Sequence, residues 1–183
     1  MPRYLVIAAT TAEAAHVPAD LPLIITGIGK TAAAALTTRA LAGRTDLADL
    51  VILNIGTAGS LRDDVDGLFT PGVVINHDIS AEALRAIGHD PEERLVVGDS
   101  DVVLATGDVF ITDPQARNEL AKRAHLVDME GYAVVWAARQ FDVPVRLIKH
   151  VSDKADGQAA FDWPTTVDNS ARVLGDWLVK NAR

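Results

Sequence analysis

The sequence predicts an α/β fold, on two observations. Short apolar runs (Leu5 to Ala9, Pro22 to Thr26, Leu50 to Ile55, Val102 to Ala105, Val143 to Ile148) alternate with longer stretches of helical pattern. Two of the runs end in turns made of small residues, Gly27-Ile28-Gly29 and Gly56-Thr57-Ala58-Gly59-Ser60, the usual join between a buried strand and the next element of the chain. With 183 residues, 49% of them hydrophobic, the chain is long enough for one sizeable core and short for two, so 1–183 reads as a single domain.

Composition narrows the partners. The net charge of -8 is spread over scattered basic and acidic residues, which argues against nucleic acid or an anionic membrane and for a small polar or neutral ligand. No cysteine is present, so disulfides, thiolate nucleophiles and cysteine metal sites are excluded. The first apolar run is too short for a signal peptide and none reaches membrane-spanning length; the expected location is the cytoplasm.

Taken in order, Leu5 to Ala9 is the first strand, and Thr10-Thr11-Ala12-Glu13 the loop or helix start after it. Glu13 reads either as a first-turn acid favoured by the helix dipole or as a site carboxylate. After the second strand, Gly27-Ile28-Gly29-Lys30-Thr31 opens an alanine-rich helix, Ala32 to Ala42. It matches no phosphate cradle: a P-loop would need glycine where Ile24 stands, and a dinucleotide fingerprint would have to press Ala32 and Asp49 into service. The glycines therefore read as a tight turn allowing close approach. The third strand ends in the second small-residue turn, and the two turns together are expected to line one crevice and present backbone amides to a ligand.

Between Leu61 and Gly98 come a solvated turn (Arg62 to Gly67), a short strand (Gly72 to Ile75), the pair His77-Asp78 and a short helix (Ala81 to Ile87). The pair lacks the further His and Asp ligands of a metal site, and reads as structural or as a subunit contact. After Val102 to Ala105 comes Thr106-Gly107-Asp108-Val109-Phe110-Ile111; Phe110 is either core or, at a crevice mouth, a surface for a flat ring. Pro114 to Arg123 is helical and Leu126-Val127 a short strand. Asp128-Met129-Glu130-Gly131-Tyr132 then opens a largely apolar helix to about Gln140, and a glutamate at the start of a buried helix needs a polar answer, which makes Glu130 a ligand-binding candidate.

The last strand should end where the chain turns polar, at His150 to Asp156. Ser152-Asp153 there is either an acid facing a substrate or a cap on the next helix. A loop, Gln158 to Pro164, carries Phe161 and Trp163, and a final helix begins near Thr165 with a capping box completed by Asp168; its apolar face is Val167, Ala171, Leu174 and Leu178.

Five motifs in fixed order, the Gly27 turn, the Gly56 turn, Thr106 to Ile111, Asp128 to Gly131 and Val151 to Asp156, together resemble the nucleoside phosphorylase and nucleosidase superfamily. The resemblance covers nearly the whole chain and is greatest to the 5'-methylthioadenosine/S-adenosylhomocysteine nucleosidase branch. It implies a three-layer αβα domain with a central mixed β-sheet, a small-molecule nucleoside substrate, no cofactor or metal, and a homodimer. Carried over by position, Asp153, next to Ser152, would share a proton with N7 of a departing purine. Glu130 would accept hydrogen bonds from ribose hydroxyls, and Met129 would pack on the sugar. Phe110 would stack on the base, whose edge the main chain of Ile111 would read. Thr57, Ala58 and Gly59 would line the side from which the nucleophile enters, Glu13 would orient the attacking water, and Lys149 stands where relatives tend to have a cation.

The chemistry asks for these groups. Breaking an N-glycosidic bond makes the sugar cation-like and the base anion-like, so an acid belongs on the base side and negative charge or a polarised nucleophile on the sugar side. Asp153 must then be protonated when it acts, which burial or a neighbouring carboxylate would favour. Phosphorylases of the superfamily resemble one another in placing arginines after the first strand and before the Gly-Thr turn; here those places read Ala9 to Ala12 and Leu53-Asn54-Ile55. Water is therefore the expected nucleophile. The rivals are a phosphorylase, a futalosine-type hydrolase and a non-catalytic nucleoside binder. The stretch from Ser60 to Thr106 is shorter than in typical relatives, in which it supplies part of the pocket for the 5' substituent.

Overall fold

The computed structural model describes residues 3–182, the side chains of 160–162 excepted. In chain order the elements are β1 (Arg3–Ala8), β2 (Leu23–Ile25), α1 (Lys30–Ala42), β3 (Leu50–Ser60), β4 (Leu68–Phe69), β5 (Val73–Asn76), α2 (Ala81–Ala86), β6 (Arg94–Val96), β7 (Val103–Thr106), α3 (Pro114–Ala121), β8 (Leu126–Asp128), α4 (Gly131–Arg139), β9 (Val145–Asp153) and α5 (Ala159–Asn181). One mixed sheet runs β2-β1-β3-β8-β7-β5-β6, with β9 laid against β3 and β4. The expected α/β fold with a central mixed sheet is what forms.

Strand alternation sorts the core onto two faces. In β1, Leu5 and Ile7 join Ala33 and Leu41 of α1 and Val134 of α4, whereas Val6 and Ala8 join Leu174 and Leu178 of α5. β3 repeats the division, Ile52 on the first face and Leu53 and Ile55 on the second. Each of these valine, leucine and isoleucine side chains, fully withdrawn from water, contributes about 1.5–3 kcal/mol. Helices thus cover both faces of the sheet, and the predicted apolar face of α5, Val167, Ala171, Leu174 and Leu178, is buried against it.

Three elements differ from expectation at the carboxyl ends of the strands, and all three position the site. Gly56 to Ser60 is not a turn: β3 continues through it, parallel to β9 from Ile52 to Gly59 and antiparallel to β8 at Gly59 and Ser60. Pairing with neighbours on both sides overrides the local turn signal. β9 likewise runs on past Ile148 to Asp153, with an irregular register between Ala58 and Gly59. α5 begins at Ala159 rather than near Thr165, so most of the expected loop is helical, Pro164 lies inside the helix, and the Thr165 and Asp168 capping box does not stand at a helix start. The side chain of Phe161 lies outside the described residues. β4 and β6, two and three residues long, were not foreseen.

Gly59 shows why the extended strand needs small residues. A Cβ there would sit 3.0 Å from Asp153 Oδ1, 3.0 Å from Ala155 Cβ and 3.2 Å from Val127 Cγ1. The glycine lets β3, β8 and the end of β9 converge on one point, beside an acid.

Candidate active site

The convergence opens a cleft of about 360 Å³ at the carboxyl end of the sheet. Asp153, Glu130, Glu13, Met129, Phe110, Ile111, Ser152, Thr57, Ala58 and Gly59 all line it. Its position, beyond the ends of β3, β8 and β9, is where an α/β sheet characteristically holds a ligand.

Asp153 ends β9 and is 7% exposed. Ser152 Oγ donates to its Oδ2 at 2.8 Å and the Ala155 amide to its Oδ1 at 2.9 Å. The capping alternative is removed by geometry, because α5 starts six residues later and neither Ser152 nor Asp153 stands at its first turn.

Glu130 faces the same cleft from the start of α4. It does not cap its own helix; its Oε1 accepts instead from the Gly29 amide at 2.8 Å. The neighbouring Lys30 amide donates to Asp108 Oδ1 at 2.7 Å. The first glycine turn therefore spends its amides on carboxylates of the chain itself, a correction to the expectation that they face a ligand. Burial, with the Asp128 carboxylate nearby, pushes Glu130 from the ordinary 4.5 up to about 7.

Asp128 explains the rest of that charge cluster. Its Oδ1 accepts from Thr106 Oγ1 at 2.6 Å and its Oδ2 from the Gly131 amide at 3.0 Å, while Thr106 Oγ1 accepts from the Tyr132 amide at 2.9 Å. Together Asp128 and Thr106 cap α4. Lys149 Nζ lies 2.9 Å from Asp128 Oδ2, both side chains almost wholly buried. Burial works against the ammonium charge, yet Asp128, with Glu130 and Glu13, outweighs it and raises the Lys149 pKa. Lys149 was expected at the substrate; it does not line the cleft and instead sits beneath it, near Gly56, as the counter-charge of Asp128.

Glu13 lines the cleft from the segment after β1 and is 5% exposed. Its Oε2 accepts from the Thr10 amide (3.1 Å) and hydroxyl (3.0 Å), its Oε1 from the Thr57 amide (2.8 Å) and hydroxyl (2.8 Å). Four donors fill the roughly four acceptor positions of one carboxylate. The second small-residue stretch, like the first, gives an amide to an internal carboxylate. A Cβ on Gly56 would lie 3.2 Å from Glu13 Oε1, so that glycine leaves room for the acid.

The opposite rim is apolar and open. Phe110 is 47% exposed at the cleft, which settles it as rim rather than core, and Val109 and Ile28 beside it are exposed too. Below the rim Asp78 pairs with Lys30 and accepts from the Asp108 amide at 2.8 Å, and Lys30 Nζ also donates to Asn76 at 3.0 Å. Of the His77-Asp78 pair, Asp78 makes this tie, which holds the 106–111 loop against the start of α1.

Sequence reasoning gave no individual role to Thr10, Asp128 or Trp163. Thr10 had a signal, a hydroxyl three residues before Glu13; Asp128 had one as the first acid of Asp-Met-Glu, two residues before Glu130. Trp163, whose indole donates to Thr57 Oγ1 at 2.8 Å across 106 positions of sequence, had none.

A family model described as Phosphorylase superfamily matches residues 74–177, more than half of the chain. The chain belongs to that superfamily. Among characterised relatives it is 25% identical over 151 residues to an aminodeoxyfutalosine nucleosidase of Helicobacter pylori, covering 69% of this chain and 66% of that one. The chain thus spans just under two thirds of that relative's length. It is 27% identical over 163 residues to a 5'-methylthioadenosine/S-adenosylhomocysteine nucleosidase of Shewanella pealeana, covering 75% and 70%. In fold it matches the Helicobacter pylori 5'-methylthioadenosine/S-adenosylhomocysteine nucleosidase with a TM-score of 0.82, at 20% identity, over 98% of this chain and 97% of that one.

Proposed function

We propose that the protein is a hydrolytic purine nucleosidase, cleaving the N-glycosidic bond of an adenosine-type nucleoside to free base and sugar. The observation that carries the choice of water is the Glu13 carboxylate on its four donors. Those amides and hydroxyls are the groups on the sugar side that could otherwise hold an oxyanion, and a dianion approaching them meets a negative charge already in place. The names of the relatives, an aminodeoxyfutalosine and a methylthioadenosine/S-adenosylhomocysteine nucleosidase, support an adenine nucleoside with a varied 5' group.

In this reading the C1'–N9 bond breaks with its electron pair going to the base, and Asp153 delivers a proton to N7. Glu130 accepts from the sugar hydroxyls, and Phe110 and Met129 cover base and sugar. Water attacks C1' and gives its proton to Glu13; because the carboxylate is saturated, one hydroxyl donor, Thr10 or Thr57, must swing away to admit it. A second copy of the chain covering the open rim of Ile28, Val109 and Phe110 would complete the pocket around the 5' substituent.

The test is base release from adenosine, 5'-methylthioadenosine, S-adenosylhomocysteine and aminodeoxyfutalosine, each with and without phosphate. Release independent of phosphate is expected; release that requires it contradicts the proposal. Asp153→Asn should keep the fold and lower kcat by roughly 10²- to 10⁴-fold, the usual contribution of a positioned acid. Unchanged turnover would remove Asp153 from the mechanism.

A further inference from the structure

Trp163, Thr57 and Glu13 form a directed chain of hydrogen bonds. Trp163 stands near the start of α5, half-buried on the cleft wall. Its indole N–H donates to Thr57 Oγ1 at 2.8 Å, and Thr57 Oγ1 donates to Glu13 Oε1 at 2.8 Å. An indole nitrogen only donates, so at that contact the hydroxyl oxygen must accept. The hydroxyl has a single proton, and with the indole on its other side that proton goes to the carboxylate. Without the indole the hydroxyl is free to turn and donate elsewhere.

We propose that Trp163 is a positioning residue: by fixing the direction of the Thr57 hydroxyl it sets the orientation of Glu13 toward the attacking water. This rests on the hydrolase reading and extends it to a residue outside the five motifs. A second contact ties the same two parts of the chain. His16, three residues beyond Glu13, meets Asp168 of α5 at 3.1 Å, and a Cβ on Gly175 of α5 would lie 2.8 Å from His16 Cβ. The segment carrying Glu13 is therefore seated directly on α5, and the indole aligns the reactive end of that joint. When the water enters, Thr57 stays on Oε1, and the Thr10 hydroxyl, with longer bonds of 3.0 and 3.2 Å, is the donor that yields.

The experiment uses the whole protein. Trp163→Phe keeps an aromatic ring and removes the N–H. Losing one such bond should lower kcat by roughly 2- to 10-fold, with KM held within about twofold. In a Thr57→Val background the indole has no acceptor, so adding Trp163→Phe should change kcat no further. Equal losses in both backgrounds, or none in either, would overturn the proposal. The indole ¹⁵N–¹H resonance of Trp163, assigned by its absence from Trp163→Phe, should shift in Thr57→Val; an unmoved resonance overturns the bond itself. The two readings fail separately. Phosphate-dependent release by the wild type defeats the hydrolase reading and this one with it, whereas hydrolysis indifferent to Trp163→Phe defeats this one alone.

Discussion

A carboxylate buried beside another carboxylate keeps its proton to a higher pH, and Glu130 stands in that relation to Asp128. Its folded-state value of about 7 lies above the ordinary 4.5, so the sign is opposite to that of a salt-bridged acid. The stability that a neutral Glu130 contributes is fully present below about 4.5 and is lost as the pH rises through about 7. Melting temperatures measured between about pH 5 and about pH 8 should fall more for the wild type than for Glu130→Gln; parallel curves would contradict the burial argument. Lys149 carries the reciprocal lesson. Replacing it by methionine leaves Asp128 buried without its counter-ion and should cost about 3–5 kcal/mol in chemical denaturation, much of it recovered when Asp128 is changed to asparagine as well. A Lys149→Met protein as stable as the wild type would show that the pair is not coupled. At this scale the sequence pointed to three carboxylates that line the cleft, Glu13, Glu130 and Asp153, but passed over Asp128 beside them. It could not reveal that Lys149 serves Asp128 rather than substrate, since both readings place a cation at the same position.

Elements were legible where periodicity was strong and misread where pairing decided. β1, β7, α1 and α4 fall close to their expected spans. Gly56 to Ser60 has the composition of a turn, yet β8 and β9 flank it and take up its main-chain groups, so it is strand. The same effect carries β9 five residues beyond Ile148, and Asp153 is held by strand geometry rather than by a loop. Pro164 closes the loop expected before a helix near Thr165, but α5 begins at Ala159 and carries the proline within it. The extended β3 has a testable consequence. Gly59→Ala places a methyl 3.0 Å from Asp153 Oδ1, and even a displacement of about 1 Å at a reacting group can lower turnover by about 10²-fold. Gly157→Ala, with open space around its Cβ, is the control and should leave both turnover and melting temperature near wild type. Equal activity in the two variants would mean that Asp153 tolerates movement.

On the scale of the whole molecule, helices on both faces of a mixed sheet leave its carboxyl edge as the place where distant parts of the chain meet. Glu13 arrives from the turn after β1, Thr57 from β3, Phe110 from the loop after β7, Glu130 from the start of α4 and Asp153 from the end of β9. That arrangement is set by the order of strands, which five separate motifs announce only when read together. No helix among the described residues is long and apolar enough to cross a membrane. In the proposed hydrolysis the cleft's charges divide the work: a carboxylate saturated with donors would serve the sugar side, an acid at a strand end the base side, and a carboxylate with a raised pKa the sugar hydroxyls. Identifying the sugar product formed from an adenosine-type nucleoside in phosphate-containing buffer, for example by ³¹P resonance, tests that division most directly. Free sugar with no sugar 1-phosphate is the expected result; accumulation of sugar 1-phosphate would mean that an oxyanion displaces Glu13 from its donors, and would contradict the account.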